Sequence, residues 1–324
     1  MQLIGFNGRI VSPQEAMISV LDHGFLYGLS LFETFRTYGG RPFLLSRHLD
    51  RLADGCRAVG IELPRDAQLA QVRRHVAELL QASGLRDGYV RYTVTAGDAG
   101  LGLPESTYTT PNVVVYAKPL PAAVPLAAKG KALQLLRTRR NSPEGDVRLK
   151  SAHYMNNILA KRELGETPSA RASHGAPAEG LMLNAAGHVT EGIVSNVFFV
   201  KNGVCCTPAI DTGILPGITR GFVLELAQQA GIAVEEGYYT WEDLLDADEV
   251  FITNSIQEIV PIHTLYDLEG VRWRAETRQP AGNPVFIEST LEQPPTAFSR
   301  TMTITLQLHQ AYQQAIDLHI KAGQ

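Results

Sequence analysis

The spacing of apolar residues changes repeatedly along the first third of the chain and predicts alternating strands and helices. Asn7-Gly8 and Gly39-Gly40 each interrupt a run of alternating residues, and such pairs favour the positive φ angles of a tight hairpin turn. Apolar residues recur every three or four positions over residues 46–58 and again over 69–80, which predicts two amphipathic helices. Strands are predicted at residues 32–38, 41–45, 89–96 and 112–117.

This pattern stops at residues 118–131, where prolines stand among alanines and disfavour both a helix and a central strand. We therefore predict a small N-terminal α/β domain over 1–117, a linker over 118–131 and a larger domain over 132–324. A chain of 324 residues is long enough for two domains of ordinary size.

The larger domain is also predicted to mix strands with helices. A turn is expected at Asn202-Gly203, and Thr240 with Asp243 has the spacing of a helix capping box. The polar stretch at 270–300 is expected to be a surface insertion. The predicted strands are 133–137, 180–183, 193–200 and 249–253, and the predicted helices are 151–164, 219–229 and 307–320.

Composition excludes several classes of protein. Hydrophobic residues make up 44% and charged residues 19%, which predicts a folded core rather than disorder. The net charge of −4, without a basic stripe, argues against a nucleic-acid partner. There is no apolar run of membrane-spanning length and no signal peptide, and three cysteines cannot build a disulfide framework. We expect a cytoplasmic protein with no membrane partner and no metal.

Lys150 is the most informative single residue of the sequence. It immediately precedes the predicted helix at 151–164, which Ser151 could cap, and Arg148 is close in sequence. A helix N-terminus and a nearby cation both favour the neutral amine, which is the form that attacks an aldehyde. Taken alone, the position fits an ordinary solvated lysine better.

Two further patterns suggest phosphate binding, and a third suggests a cleft. The glycine-containing turn at 213–217 leads into the predicted helix, where Ile218 and Thr219 would offer backbone N–H groups and a hydroxyl. Arg51 could bind a phosphate through two N–H groups. Ser255 follows a buried-looking strand and could line a cleft. Each also fits a structural role: a helix cap, a strand end reaching solvent, or a solvated helix face.

Acidic and basic side chains on predicted strands are further candidate functional residues. Glu191 lies among apolar residues, so it needs a cationic partner, which a pyridinium nitrogen or an arginine would provide. Arg91 and Arg36 could bind substrate carboxylates. Together, an amine, phosphate anchors, an acid and spare arginines are the parts that pyridoxal 5′-phosphate (PLP) chemistry requires.

The sequence resembles the fold-type IV PLP-dependent enzymes, the family of class IV aminotransferases and 4-amino-4-deoxychorismate lyases. The resemblance extends over nearly the whole chain. Its landmarks, in family order, are residues 22–28 with Phe32-Glu33, residues 48–52, Thr190-Glu191-Gly192 with Ser195-Asn196, residues 211–220 and residues 253–261.

The resemblance implies the roles of individual residues. Lys150 would form the Schiff base and transfer protons, and Glu191 would pair with the pyridine nitrogen. Cofactor binding would involve Arg51, Ser195, Ile218, Thr219 and Ser255, and substrate binding would involve Tyr27, Phe32, Arg36 and Arg91. It also implies an α/β (α+β) fold with a small N-terminal domain, a larger C-terminal pseudo-barrel domain, and a homodimer whose active site the neighbouring subunit completes.

Within the family, residues 140–157 and 254–261 most resemble the bacterial aminodeoxychorismate lyases. This implies a lyase that releases pyruvate from 4-amino-4-deoxychorismate and leaves 4-aminobenzoate for folate synthesis. Residues 89–91 and 97–102 resemble branched-chain aminotransferases, whereas Leu101-Gly102-Leu103 replaces the Arg and His of well-known D-amino-acid aminotransferases. An aminotransferase for branched-chain or D-amino acids is therefore the first alternative, and a PLP-binding protein without turnover is the second.

Overall fold

The computed structural model describes residues 3–64, 67–122, 124–126, 130–172, 178–274 and 302–322. The chain divides into two compact units. The first contains the described residues of Met1–Ala122, Leu149–Tyr154 and Gln314–Gln324, and the second those of Ala123–Arg148 and Met155–Gln313. The boundary proposed for 118–131 stays a prediction, and most of the insertion expected at 270–300 lies outside the described residues.

The first unit is built on a six-stranded antiparallel sheet with the order β2-β1-β6-β5-β3-β4. Asn7 and Gly8 have φ angles of 46° and 77°, and Gly39 and Gly40 have 59° and 76°, so both predicted hairpin turns are confirmed. The strands are β1 (Ile4–Phe6), β2 (Arg9–Val11), β3 (Ser30–Tyr38), β4 (Arg41–Pro42), β5 (Gly88–Thr95) and β6 (Asn112–Pro119).

Helices α2 (Leu45–Ala58) and α3 (Leu69–Ala82) provide the apolar side chains that bury this sheet. Both match the predicted amphipathic helices, although the strand predicted at 41–45 ends at Pro42. Leu31 and Phe35 of β3 join the same core as Leu49 and Leu52 of α2. Since side chains alternate along a strand, Phe32 and Arg36 belong to the opposite face of β3. A four-residue helix, α1 (His23–Leu26), precedes β3.

The second unit contains a nine-stranded sheet in the described residues. Its order is β12-β11-β10-β13-β14-β7-β8-β9, with β15 beside β14. The strands are β7 (Lys131–Leu135), β8 (Ala178–Leu183), β9 (Val189–Gly192), β10 (Asn196–Lys201), β11 (Val204–Pro208), β12 (Val234–Gly237), β13 (Glu249–Asn254), β14 (Glu258–Tyr266) and β15 (Val271–Arg274).

One extra pairing closes part of this sheet into a ring. Glu191 of β9 pairs with Asn196 of β10, so β10, β13, β14, β7, β8 and β9 surround a common interior. The strand predicted at 193–200 is confirmed as β10 but begins only at Asn196, because the Gly192 N–H donates to the Ser195 carbonyl over 2.7 Å and reverses the chain before it. The tight turn is what places the Glu191 position opposite Asn196. The α/β class with a pseudo-barrel is confirmed.

Helices cover the second unit. Thr240 and Asp243 form the predicted capping box, and the helix predicted at 219–229 is confirmed. The helix predicted at 151–164 begins only at Met155. The helices are α4 (Met155–Leu164), α5 (Pro168–Ala172), α6 (Ile218–Gln229), α7 (Trp241–Leu245) and α8 (Thr303–Lys321), and the part of α8 from Gln314 on belongs to the first unit. In the described part of the chain, no helix combines the length and apolar character needed to cross a membrane.

Two glycines after β5 allow a matched test of local backbone strain. Gly97 and Gly100 both have positive φ, 85° and 73°, but a Cβ on Gly97 would overlap the Thr110 carbonyl, whereas nothing lies within 4 Å of one on Gly100. We expect Gly97→Ala to lower the free energy of unfolding by about 3 kcal/mol and Gly100→Ala by about 1 kcal/mol. Urea denaturation of the full chain measures both, and equal losses would contradict the close packing at Gly97.

Candidate active site

Lys150 lies in the first unit, in an extended segment along the edge of β3. The Phe32 N–H donates to the Lys150 carbonyl over 2.9 Å, and Leu31 pairs with Ser151 as in an antiparallel sheet. Ser151 therefore follows a strand-like path instead of capping a helix, and the expectation that Lys150 precedes a helix N-terminus is wrong. The pairing with β3, which sequence spacing cannot show, determines where this lysine lies.

Lys150 and Arg91 both lie beside the ring of Phe32. The Lys150 Nζ is 4.8 Å from the ring centroid, and the guanidinium carbon of Arg91 is 3.6 Å from it. Thr34 of β3 pairs with Arg91 of β5, so Arg91 shares the Phe32 face of the sheet. A buried aromatic ring with two cations beside it holds both at defined positions. The structure thus brings together the predicted lysine and two predicted substrate residues.

The other two predicted substrate residues lie farther along the first unit. Arg36 follows Phe32 by four positions on the same face of β3, and its guanidinium carbon is 4.6 Å from the Tyr38 ring centroid. Tyr27 follows α1, where its hydroxyl accepts the Gly102 N–H over 3.1 Å and its ring packs edge-on against His23. Tyr27 therefore contacts α1 and the loop after β5.

Arg51 is paired with a buried carboxylate that the sequence reasoning did not single out. Its Nε and Nη2 donate to the two oxygens of Glu33 over 2.8 and 2.6 Å. Burial alone would raise the pKa of Glu33, but Arg51 and His48 outweigh burial and hold it at about 2. Burial is also the main reason that the pKa of His48 is lowered. Two of the family landmarks, Phe32-Glu33 and residues 48–52, contain both partners and could have indicated this contact.

Glu191 occupies the closing pair of the ring in the second unit. Its Oε1 accepts Arg140 Nε over 2.8 Å, and its Oε2 accepts the Leu215 N–H over 3.0 Å and Asn196 Nδ2 over 3.4 Å. Arg140 thus provides one of the two cationic partners that the sequence left open. All three of these partners are N–H groups, so the Glu191 carboxylate accepts each of the three hydrogen bonds.

Arg140 is a site residue that the sequence reasoning missed, because nothing in the sequence distinguishes it from the exposed Arg139 beside it. Its Nη1 donates to Asn156 Oδ1 over 2.9 Å and to Asn157 Oδ1 over 3.3 Å. Arg148 Nε lies 3.8 Å from the same Glu191 oxygen. Burial first, then Arg140, lowers the pKa of Arg148 to about 10.

The start of α6 has the features of a phosphate site. Its N-cap residue is Gly217, with no side-chain cap, and a Cβ there would overlap Asn196 Oδ1, so the helix start packs directly against β10. Thr219 Oγ1 lies 3.3 Å from Ser255 Oγ. Gly217 has no side chain that could cap the first N–H groups of α6, at Ile218 and Thr219, and uncapped N–H groups at a helix start are suited to binding an anion.

Two buried hydroxyls strengthen this assignment. Ser195 Oγ and Thr253 Oγ1 are buried without a hydrogen-bond partner among the described residues. Ser195 precedes Asn196, and Thr253 pairs with Asn196 across β10 and β13. A buried hydroxyl without a partner costs free energy unless a ligand or water satisfies it. These residues of the second unit therefore fit a bound phosphate and, through Glu191, a ring nitrogen that donates a hydrogen bond.

Comparison with known proteins identifies the family. Residues 30–265 match the amino-transferase class IV family. The aminodeoxychorismate lyase of Bacillus subtilis (strain 168) is 42% identical over 262 residues, covering 80% of this chain and 85% of the lyase. The chain therefore belongs to the class IV aminotransferase family, and the resemblance seen in the sequence is confirmed.

Solved structures agree with this assignment. The 4-amino-4-deoxychorismate lyase from Pseudomonas aeruginosa has a TM-score of 0.69 and 31% identity, covering 84% of this chain and 94% of that chain. The T.th. branched-chain amino acid aminotransferase with pyridoxamine 5′-phosphate has a TM-score of 0.73 and 28% identity, covering 97% of this chain and 94% of that chain. Both branches of the family are thus similar to this chain.

The contact between Arg140 and Glu191 predicts a large stability difference between neighbouring arginines. We expect Arg140→Met to lower the free energy of unfolding by about 3 kcal/mol, because Glu191 loses its closest charged partner while it stays buried. The matched control Arg139→Met changes an exposed side chain and should cost no more than about 0.5 kcal/mol. Chemical denaturation measures both. Similar losses in the two variants would contradict a dominant role for the buried pair.

Proposed function

We propose that this protein is a PLP-dependent 4-amino-4-deoxychorismate lyase, which releases pyruvate and leaves 4-aminobenzoate for folate synthesis. The observation that carries the choice of lyase is the similarity to the Bacillus subtilis lyase over most of both chains. The arrangement of Lys150 and Arg91 beside Phe32 supports it, because it places an amine and a carboxylate-binding group on one face.

The cofactor is pyridoxal 5′-phosphate, in keeping with the family and with the related structure that contains pyridoxamine 5′-phosphate. We assign its phosphate to Arg51 and to Ser255, Thr219 and the Ile218 N–H, and its ring nitrogen to Glu191. Ser195 contributes a buried hydroxyl at the turn after Glu191. When bound, the cofactor supplies an electron sink joined to the amino group of the substrate.

The residues then divide the chemical work. Lys150 would hold the cofactor through its amine, and the same amine would take the proton from the substrate ring carbon. Arg91 and Arg36 bind the substrate carboxylates, while Phe32 and Tyr27 line its binding place. Loss of the proton and of the enolpyruvyl group makes the remaining ring aromatic, and this aromatisation drives the release of pyruvate.

An aminotransferase acting on branched-chain or D-amino acids is the second candidate. The similarity to the T.th. aminotransferase favours it, and the two activities share the proton-abstraction step. The third candidate is a PLP-binding protein without turnover. The fate of the cofactor separates the first two, because an aminotransferase keeps the amino group of its donor on the cofactor, whereas a lyase returns the cofactor unchanged.

A homodimer is part of this proposal. An exposed apolar patch of the first unit is formed by side chains of two segments, which contact each other through Tyr27 and Gly102. Its exposed apolar residues are Met17, Ile18, Val20, Leu21, Phe25, Tyr27, Leu101 and Leu103. Phe25 is 72% exposed, and Leu101 and Leu103 are at least 80% exposed, which is typical of a surface that another protein covers. We assign the patch to a second copy of this chain.

We also propose that the enzyme works in the cytoplasm. Its three cysteines, Cys56, Cys205 and Cys206, are buried free thiols, a state that a reducing compartment preserves.

The activity test uses purified full-length protein with PLP. We expect stoichiometric pyruvate and 4-aminobenzoate from 4-amino-4-deoxychorismate, and visible cofactor absorption that persists when L- or D-amino acids are added without an acceptor. Lys150→Ala should lower the rate by about 10³-fold because the proton-transferring amine is gone. The control Lys161→Ala changes an exposed lysine of α4 and should keep full activity. Rapid loss of the absorption with one amino acid would favour the aminotransferase instead.

The dimer is tested by sedimentation velocity. We expect wild type to sediment as a dimer, and Phe25→Asp to raise the dimer dissociation constant by about 30-fold or more, because it would bury a charge at the interface. Ile158→Asp, at an exposed apolar position of α4, is the control. A monomeric wild type, or equal effects of the two substitutions, would contradict the assigned interface.

A further inference from the structure

The Glu33 carboxylate lies among the apolar residues beneath the sheet of the first unit. Its neighbours along β3 with the same orientation, Leu31 and Phe35, belong to the core shared with α2. Glu33 is only 1% exposed. A buried carboxylate is costly unless cations and hydrogen bonds compensate it, so its position in this core calls for a specific reason.

Two side chains of α2 compensate Glu33. Arg51 binds both carboxylate oxygens, through Nε and Nη2, and His48 Nδ1 donates to Oε2 over 2.6 Å. A guanidinium has five N–H groups, and this bidentate contact engages two of them. Bidentate pairs fix the plane of the guanidinium as well as its position, which a single hydrogen bond does not.

The pKa values of Glu33 and His48 bear on the stability of the contact between Glu33 and α2. With a pKa of about 2, Glu33 stays ionised at any pH at which the protein would be assayed. Burial is the largest cause that lowers the pKa of His48, and it outweighs the contact with Glu33, which raises it; the positive charges of Arg51 and Lys150 act in the same direction as burial. Lys150 is therefore close enough for its charge to act on this cluster.

Arg51 without Glu33 would be a long side chain with many rotamers. Its side chain is 16% exposed, whereas Glu33 is fixed within a strand. Holding the guanidinium in one plane before the ligand arrives removes the entropy cost of ordering it during binding. An anion that binds Arg51 therefore binds with higher affinity than it would to a mobile arginine.

We infer that Glu33 is a positioning residue that fixes Arg51 for the phosphate of the cofactor. Glu33 itself touches neither cofactor nor substrate in this arrangement, and it acts only through Arg51. The inference rests on the proposed function, in which Arg51 is a phosphate ligand. It predicts that Glu33 matters for ligands with a phosphate and not for the same ring without one.

The experiment compares PLP with pyridoxal, which lacks the phosphate. Full-length protein is freed of cofactor and titrated with each compound, and the visible absorption gives both dissociation constants. We expect Glu33→Gln, which keeps the shape of the side chain, to raise the PLP dissociation constant about tenfold or more and the pyridoxal constant less than about twofold. Combining Glu33→Gln with Arg51→Ala should weaken PLP binding no further than Arg51→Ala alone.

Control variants separate this role from general destabilisation. Glu78→Gln removes an exposed carboxylate that pairs with Arg74 on α3, and both constants should stay unchanged. If Glu33→Gln does not fold, Glu33→Asp carries the test, since it keeps the charge but shortens the reach to Arg51. It should also weaken PLP selectively.

The outcomes are distinct. Selective loss of PLP affinity supports the inference. Equal losses for PLP and pyridoxal, or no loss for either, would overturn it while the proposed function stands. A wild-type protein that binds neither compound would overturn the proposed function and the inference with it.

Discussion

The second unit depends on a buried carboxylate at the place where its ring of strands closes. Glu191 of β9 lies opposite Asn196 of β10, and its oxygens accept from Arg140 and the Leu215 N–H as well. These donors come from the segment after β7 and the loop before α6, so one side chain joins the closing strands to the helix that begins at Ile218. A charge buried there is stable only with these partners, and the contacts that shape the site therefore also hold the closed ring together.

The first unit also contains a buried carboxylate that is paired with an arginine, but the roles of the two groups are reversed. There Glu33 is enclosed by α2, and its charge fixes an arginine, whereas in the second unit arginines fix an acid. On the other face of the same strand, the Phe32 ring holds Lys150 and Arg91. A single strand with alternating side chains thus separates a buried ion pair from the group of cations that would meet the substrate. Reactive side chains held by a rigid sheet keep their positions better than side chains on loops.

Much of the fold could be predicted from the sequence because the signals are local. The turns at Asn7-Gly8 and Gly39-Gly40 require positive φ, and the Thr240 capping box lies within one turn of its helix. The strand predicted at 193–200 begins too early because residues 193–195 form a turn between β9 and β10, although Ile193 and Val194 are residue types that favour a strand. The helix predicted at 151–164 started too early because residues 150–152 pair with β3, more than 100 positions away in the sequence.

The sequence by itself determined the family, the chemistry-bearing residue types and the local elements, since motifs and periodicities are properties of neighbouring residues. It also showed that Glu191 needs a cation. Only the tertiary structure decided that Arg140 pairs with Glu191, that Arg51 is held by Glu33, and that Lys150 lies on a sheet edge beside Phe32. Each of these contacts joins segments distant in the chain. Burial and ion pairing depend on how distant segments pack together, so they cannot be predicted from a local pattern of residues.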